Sequence, residues 1–461
     1  MAIGQASPMT GLITVKTVIA LLLVSVFQAV SMAQTPELNK PPSLAFTHVT
    51  AINVSNGTLQ RDMTVVVTGN RIADVGKSER LRVPAKATVI NGRGEFLIPG
   101  LWDMHVHIEP APELFARLYL AHGVTGIRDM RMELDSLLQL REKIRRGTIL
   151  MPRLVASGPA LDNLPPEYPL PLKIRVKNAD DARKAVILLK ANGVDFIKVH
   201  NFTPRDAFFA IAEETKQQQL TFVGHVPLSV SIQEAVEAGQ RSIEHLSEFR
   251  VVEECSDSAK CKDLIALFKK HDTWQTPTLV ELGEEVQLDT ADELRSKYVP
   301  PSVKKFWNLT EGMLQNLTEE QKTHLKEQYK QALPLVGKFQ SQGIGILAGT
   351  DSPVFANVVS GFSLHDELSL MVEAGLTPLE ALQTATLNPA RFLGRLDDLG
   401  TVEKGKLADL VLLDANPLDD IHNTNKICAV VGDGRFLDRK ALDRLLSEAE
   451  TAAKTRDKEH D

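Results

Sequence analysis

Six residues with reactive or metal-binding side chains share a position in this 461-residue sequence. Each lies at or near the end of a short apolar run; in chain order they are His105, His107, Lys198, His225, His245 and Asp351. Imidazole and carboxylate groups are common protein ligands of zinc and similar divalent ions. A single His-x-His pair is weak evidence, because many strand-end histidines only make hydrogen bonds. The joint placement of the six residues predicts a metal centre.

Lys198 raises a separate question, because lysine is almost never fully buried unless another group pairs with it. It lies in the apolar run DFIKVH. Side chains alternate faces along a strand, so Phe196, Lys198 and His200 share one face and branched apolar residues take the other. We expect the face with Lys198 to point inward. The alternative is a lysine that extends to solvent or pairs with a carboxylate.

The six residues fall within a regular alternation of short apolar runs and amphipathic helical stretches, between about 97 and 392. The runs are LIPGLWDMHVH, GVTGIRD, RLVASG, DFIKVH, TFVGHV, SIEHL, TWQTPTL and GILAGTD. Eight strands with helices between them predict an α/β fold, a (β/α)8 TIM barrel. Reactive residues in such barrels lie at the C-terminal ends of the strands. The longer helical segment 281–340 is interpreted as an insertion near the barrel mouth.

Both ends of the chain have a β pattern. Residues 44–92 and 400–440 contain short β-like runs, which we expect to form one small β-sandwich beside the barrel. The predicted domains are a signal peptide (1–33), the N-terminal part of the β-sandwich (34–96), the metal-binding barrel (97–392), the C-terminal part of the β-sandwich (393–440) and a charged tail (441–461).

Composition and charge argue against some classes of protein. The sequence is 43% hydrophobic and 24% charged, as in globular proteins. Its net charge of −7 is spread along the chain rather than gathered in blocks. Because no basic stripe is visible, we expect no nucleic-acid partner.

The N-terminal segment is typical of a secretory signal peptide. The apolar run TVIALLLVSVFQAV follows Lys16, and Ser31 and Ala33 form a small-x-small cleavage site. The run is too short to span a bilayer comfortably, which argues against an anchoring helix. We therefore expect a periplasmic or secreted protein without a stable membrane anchor after cleavage.

The sequence leaves the state of its cysteines open. Cys255 and Cys261 flank the polar segment SDSAK and could pair in an oxidising compartment, or remain two free thiols. Cys428 lies in a strand-like stretch and is interpreted as a small core residue. No cysteine cluster has the spacing of a zinc site.

Three motifs together resemble those of the amidohydrolase superfamily. LIPGLWDMHVH matches the first-strand motif Pro-Gly-x-x-Asp-x-His-x-His, GLTPLEALQTATLNPARFLG matches the last barrel helices, and GTVEKGKLADLVLLD matches the return to the β-sandwich. The chain is most similar to the branch that holds imidazolonepropionase and the Xaa-Pro and Xaa-Arg dipeptidases. The resemblance covers roughly residues 44–440.

The resemblance implies two divalent metal ions, with Zn²⁺ expected. The ligands it implies are His105, His107 and Asp351 for the first ion, and His225 and His245 for the second. Lys198 occupies the position of a lysine that is carboxylated on its side-chain nitrogen in binuclear relatives and bridges both ions. Burial is consistent with this role, because it lowers the lysine pKa and the neutral amine is the form that takes up CO₂.

The resemblance also implies catalytic roles. Asp351 would accept a proton from the attacking water and pass it to the leaving group. His245 or His200 would donate a hydrogen bond to the developing oxyanion. His200, where many relatives have Tyr or a small residue, would contact the substrate or be an ordinary polar residue of the barrel mouth. Asp103 is expected to orient a metal ligand by hydrogen bonding.

The sequence thus predicts an exported binuclear metal-dependent hydrolase. It would cleave amide (C–N) bonds of small molecules, such as dipeptides or N-acyl amino acids, by attack of a metal-bound hydroxide. Hydrolysis of lactones, carboxylic esters or phosphotriesters is the main alternative, and a metal-binding protein without catalysis is another. Deamination is not expected, because mononuclear deaminases have a Glu just after the strand-five histidine and this chain has none before Glu234. Whether identical subunits assemble is left open.

Overall fold

The computed structural model describes Met1 and residues 43–164, 172–287 and 293–455. The predicted signal peptide, apart from Met1, lies outside the described residues, as does the end of the predicted tail. Two compact units divide the chain, and the fold described below belongs to the second, Ser43–Asp461. Within the described ranges, no helix is both long enough and apolar enough to cross a bilayer.

The strands of the described residues are numbered in chain order. They are β1 Ser43–Asn53, β2 Thr58–Thr68, β3 Arg71–Lys77, β4 Thr88–Asn91, β5 Phe96–Pro99, β6 Leu101–Val106, β7 Val124–Asp129, β8 Arg153–Ala156, β9 Ala160–Asp162, β10 Lys173–Arg175, β11 Phe196–Val199, β12 Thr221–Gly224, β13 Ser242–Glu244, β14 Trp274–Thr276, β15 Leu410–Leu413, β16 Ile427–Gly432 and β17 Arg435–Asp438.

The α-helices of the same residues are numbered in the same way. They are α1 Pro112–Ala121, α2 Leu134–Arg145, α3 Ala179–Ala191, α4 Arg205–Gln217, α5 Ile232–Glu237, α6 Arg250–Cys255, α7 Ser258–His271, α8 Leu279–Gln287, α9 Glu293–Ser296, α10 Pro301–Gln315, α11 Glu319–Ser341, α12 Phe362–Glu373, α13 Pro378–Thr384, α14 Leu387–Phe392 and α15 Arg439–Thr455.

The two ends of the described chain form one mixed sheet. Its strand order is β17-β16-β15-β5-β1-β2-β3, with β4 paired to β1. Strand β5 joins the halves, because it is parallel to β1 and antiparallel to β15, with Leu97 opposite Leu412. Apolar side chains of both halves, among them Val65 and Val431, pack in one cluster on this sheet. The C-terminal strands therefore complete the N-terminal β domain, as the sequence predicted.

The central part of the chain has parallel strands with helices between them, as the apolar runs predicted. Strands β6-β7-β8 form one parallel sheet, and β10-β9-β11-β12-β13-β14 form another. Every residue of β6 and of β11 is buried, as expected for strands covered on both faces. The α/β class is confirmed. The described strands do not form a single closed eight-stranded sheet.

The parallel sheets are interrupted at two places: between β8 and the second sheet, and at the predicted eighth strand, GILAGTD. This run contributes only isolated parallel bridges, from Ile346 to Gln275 in β14 and from Ser352 to Val106 in β6. The segment still lies between these strands, because Leu347 N donates to Gln275 O and Met104 N donates to Ala348 O, both at 2.9 Å. The arrangement is therefore of barrel type without a continuous ladder at this position.

Helices α8 to α11 form the longer insertion that the sequence placed near the barrel mouth. Capping groups fix the start of α11, where the Thr318 side chain and the Gln321 side chain each bond the other residue's backbone. Before this insertion, Cys255 and Cys261 form a disulfide between the end of α6 and the first turn of α7. Cys428 is only partly buried, and its Sγ lies 2.8 Å from Asp414 Oδ1.

Candidate metal centre and active site

A cavity of about 520 Å³ opens at the C-terminal ends of the parallel strands. Of the residues that the sequence singled out, those in its lining are His107, Lys198, His200, His225, His245 and Asp351. His105 lies beneath this surface and is fully buried. The structure therefore brings the six predicted metal-binding residues to one place.

His105, His107 and Asp351 form the most compact group. Asp351 Oδ1 lies 3.0 Å from His105 Nε2 and 2.9 Å from His107 Nε2. His105 Nε2 and Asp351 Oδ1 are both buried and make no hydrogen bond within the described part of the chain. Burial lowers the pKa of both histidines, that of His107 to about 3, so both rings are neutral. Two neutral imidazole nitrogens and a carboxylate oxygen therefore meet at one place, and this set of ligand atoms suits a divalent cation.

Glu244, which the sequence analysis missed, fixes the orientation of His105. Its Oε2 lies 2.9 Å from His105 Nδ1. Arg128 donates to both carboxylate oxygens, at 3.1 and 2.9 Å, and thereby holds Glu244 in place. Although burial opposes ionisation, the Arg128 charge holds the pKa of Glu244 well below its usual range. A charged acceptor on Nδ1 places the proton there and leaves Nε2 free to bind a metal.

A second group combines His245 with Asp351 and a residue that the sequence analysis did not find, Glu281. One ligand atom from each of the three lies within 4.8 Å of the others. His245 Nδ1 lies 2.8 Å from Thr278 Oγ1 and 3.2 Å from Glu281 Oε2. Burial lowers the pKa of His245, but Glu281 outweighs it and raises the value to about 9. Glu281 therefore orients His245, while burial raises the pKa of Glu281 itself.

His225 was predicted to hold the second ion together with His245, and the two rings lie 4.8 Å apart. His225 does not belong to the compact group of His245. Its Nδ1 lies 2.8 Å from Asn201 Oδ1 and 3.2 Å from Glu248 Oε1, which leaves Nε2 free of these partners.

Lys198 is buried, with 2% of its surface exposed. Burial lowers its pKa to about 8, against the opposing charges of Glu244 and Asp351. No carboxylate oxygen of the described residues lies within 4.0 Å of its ammonium group. Gly224 makes room for it, because a Cβ there would lie 3.0 Å from Lys198 Cδ. The lowered pKa increases the neutral fraction of the amine, which is the form that takes up CO₂.

His200 stacks on His225, with ring centroids 4.2 Å apart. Its Nδ1 lies 3.2 Å from Asp162 Oδ2 and 3.3 Å from Lys173 Nζ. Burial and the nearby Lys173 charge hold its pKa well below its usual range, so the ring is neutral. His200 thus presents a neutral ring edge to the cavity.

Asp103 acts on the backbone rather than on a ligand side chain. Its Oδ1 accepts from His105 N at 3.3 Å and from Thr350 N at 3.1 Å, and its Oδ2 accepts from the Thr350 hydroxyl at 2.7 Å. These bonds tie β6 to the segment before Asp351. Burial raises the pKa of Asp103 to about 7.

The backbone after β13 adopts an unusual conformation. Five consecutive residues, 245–249, have positive φ, between 44° and 67°. This left-handed turn is costly for residues other than glycine. It turns the His245 ring toward the cavity and brings Glu248 beside His225. Asp351 also has a positive φ, of 59°. Two predicted metal ligands, His245 and Asp351, therefore have strained backbone conformations.

The geometry and the motifs point to one family. Residues 96–437 match the profile of the Amidohydrolase family. The chain belongs to this family. Members are hydrolases that act on small molecules, so the predictions of an enzyme and of the superfamily are confirmed. Their fold is a TIM-barrel-type α/β fold with a β-sandwich domain.

Several members of the amidohydrolase family are similar over most of this chain. An ochratoxinase from Aspergillus niger is 27% identical over 429 residues, which cover 78% of this chain and 79% of that protein. An adenine deaminase from Staphylothermus marinus is 23% identical over 412 residues and 84% of this chain, but the match spans only 56% of the deaminase. A solved Bifidobacterium longum protein provisionally described as a prolidase is 27% identical, with a TM-score of 0.70 over 89% of this chain and 99% of that one.

Proposed function

We propose that the protein is an exported, binuclear metal-dependent hydrolase that cleaves amide bonds of small molecules such as dipeptides or N-acyl amino acids. The observation that carries this proposal is the convergence of His105, His107 and Asp351 on one point beside the buried Lys198. Ochratoxinase and the prolidase-like protein are named for small substrates, which is consistent with this substrate class.

The donor groups suit two ions, for which Zn²⁺ is the expected metal. His105, His107 and Asp351 would hold one; His225 and His245, with Glu281 nearby, would hold the other. Lys198 would bridge the two after carboxylation. Ions at these positions would lower the pKa of water and polarise the carbonyl of the substrate.

Asp351 is the proposed general base. Although burial disfavours its charge, His107 and His105 hold its pKa well below the usual range, so it is ionised at neutral pH. Its carboxylate faces the cavity and can accept a proton from the attacking water. Delivery of that proton to the leaving nitrogen completes amide cleavage. His200 lines the same cavity, and with its Nδ1 accepting from Lys173 its Nε2–H would donate a hydrogen bond to the oxyanion. His245 would take this role only in place of binding an ion.

Deamination is less consistent with the site, although one relative is an adenine deaminase. Glu234, the first Glu after His225, forms the capping box of α5 with Ser231 and pairs with Arg205 at the surface. It is not among the described residues that line the cavity. A carboxylate placed for the deaminase role is therefore missing at this position.

The activity test uses the purified protein with added Zn²⁺ and a panel of dipeptides, N-acyl amino acids, lactones and phosphotriesters. We expect turnover of the amides, and its loss in Asp351→Asn. Asp398→Asn, which alters a partly exposed partner of Arg71 and Arg395, is the control and should keep full activity. Turnover of lactones or phosphotriesters without amides would overturn the proposed substrate class.

The metal test measures the metal content per chain with and without bicarbonate. We expect about two ions, and a sharp decrease in Lys198→Ala that short carboxylic acids such as acetate partly restore. Lys190→Ala removes an exposed lysine of α3 and should retain both ions. Two ions per chain in Lys198→Ala would contradict the bridging role.

The proposal of export rests on the N-terminal segment alone. In a Gram-negative host we expect the processed chain in the periplasmic fraction, starting at Gln34. A chain that keeps residues 1–33 in the cytoplasmic fraction would contradict it.

A further inference from the structure

Arg131 places a cation in the cavity wall that no sequence motif pointed to. It follows β7 and lines the cavity with His107, Lys198 and Asp351. Its backbone N–H donates to Asp129 Oδ1 at 3.1 Å, which fixes the chain at the strand end. The position of Arg131 is therefore set by the same strand-end geometry that sets the metal-binding residues.

The guanidinium of Arg131 has no ion-pair partner of its own in the part of the chain that the structure describes. No carboxylate oxygen there lies within 4.0 Å of it, and its Nε is buried without a hydrogen bond. Arg128, three residues earlier and within β7, shows the contrast, since Glu244 accepts bonds from it with both oxygens. Asp351, Asp129 and Asp162 act on the guanidinium only from beyond this distance. Leaving a buried donor unpaired is costly, so this guanidinium is suited to an anionic ligand.

An apolar side pocket begins at the same residue. A second cavity, of about 280 Å³, shares Arg131 and His107 with the main one. Its apolar walls include Val303, Phe306, Pro353 and Val354. Arg131 therefore lies where the metal-binding residues meet a pocket suited to a hydrocarbon side chain.

We infer that Arg131 binds the free carboxylate of the substrate while the side pocket holds the adjacent apolar side chain. This inference rests on the proposed amide hydrolysis and narrows the substrates to N-acyl or N-aminoacyl derivatives of apolar amino acids. A planar guanidinium can make two parallel N–H···O bonds to a carboxylate. Three glutamates of the lining, Glu248, Glu253 and Glu281, disfavour a carboxylate at their own positions, whereas Arg131 attracts it.

The kinetic test compares N-acetyl-L-leucine with N-acetyl-L-leucinamide, which differ only in the terminal charge. Acetate release gives kcat/KM for each. We expect Arg131→Gln to lower kcat/KM for the acid roughly 10- to 100-fold and to leave the value for the amide within about threefold. Arg131→Lys keeps the charge but not the planar guanidinium. Its kcat/KM for the acid should therefore lie between the values of the wild type and of Arg131→Gln. Arg145→Gln, an exposed residue of α2, should change neither value.

A binding measurement separates failure of this inference from failure of the proposed function. If the wild type releases no acetate from either compound, the proposed reaction fails for these amides. Calorimetry of N-acetyl-L-leucine binding to Asp351→Asn, with and without Arg131→Gln, then decides the role of Arg131. A 10- to 100-fold weaker binding in the double variant supports carboxylate binding. Unchanged binding there, or equal loss of activity on acid and amide, overturns it.

Discussion

Replacing Glu244 by Gln isolates the support that the structure gives to His105. The substitution preserves the shape of the side chain and removes the charge that both His105 and Arg128 contact. Two consequences should follow. Arg128 becomes a buried cation without a counter-ion, and His105 loses the acceptor that fixes its proton on Nδ1.

The magnitude follows from the burial of the pair. The side chains of Arg128 and Glu244 are 1% and 0% exposed, so solvent cannot replace the lost charge. Removing one partner of a buried ion pair costs about 3–5 kcal/mol, and the retained amide oxygen favours the lower end. Weaker orientation of His105 should lower metal affinity by about 10- to 100-fold, which corresponds to about 1.4–2.8 kcal/mol.

Urea denaturation of the metal-free protein measures the first effect, and competition with a chromogenic chelator measures the second. Glu142→Gln is a matched control, because this exposed Glu also contacts two arginines, Arg145 and Arg146. We expect the control to match the wild type in both assays, since exposed pairs contribute little. If Glu244→Gln unfolds at the wild-type urea concentration and binds metal as tightly, the network does not support His105 and the reasoning is refuted.

Two further substitutions test the packing of Gly224 beside Lys198 and the charge of the buried Glu367. Gly224→Ala would place a Cβ 2.2 Å from Val199 O, so we expect a stability loss of at least about 2 kcal/mol in urea denaturation; Gly239→Ala, with positive φ but open space, should cost clearly less. Burial raises the pKa of Glu367 to about 8, so the folded protein binds the extra proton and loses stability as pH rises from about 4.5 to about 8. Glu367→Gln keeps an acceptor for Val280 N–H but removes the titrating group. The urea midpoint of the wild type should therefore fall relative to that of Glu367→Gln as pH rises through this range. A constant difference between the two midpoints at all pH values would contradict this.

Strand ends made much of the site predictable from the sequence. His105, His225 and His245 each follow an apolar run. Parallel strands bring their C-terminal ends together independently of the loop conformations. Glu244 has a weaker local signal, because it shares a strand face with Ser242 and not with an apolar residue. Its partner Arg128 lies 116 positions away, and only the fold shows that they meet.

Other features depend on tertiary contacts that no local pattern encodes. Glu281 lies on helix α8, 36 positions beyond His245, and nothing in its surroundings distinguishes it from a surface Glu. The run GILAGTD has the sequence pattern of a strand. However, Gly349 packs so closely against His105 that a Cβ at this position would lie 2.8 Å from His105 Cβ. Thr350 bonds to Asp103, and Asp351 adopts a positive φ. These contacts replace the regular ladder that the run would otherwise form.

The sheet shared by the two chain ends has a consequence for biosynthesis. Asn70 donates to Asp433, 363 positions later, and β5 pairs with β15 only after the whole central region has been made. Until β15 has been made, the edge of β5 that pairs with it has no partner strand. The long loop between the two strands also slows the formation of this sheet. An open apolar edge invites aggregation. A chain that stops before β15 would keep every strand-end residue of the cavity and still leave this edge exposed, so the last strands cover the edge as well as complete the fold.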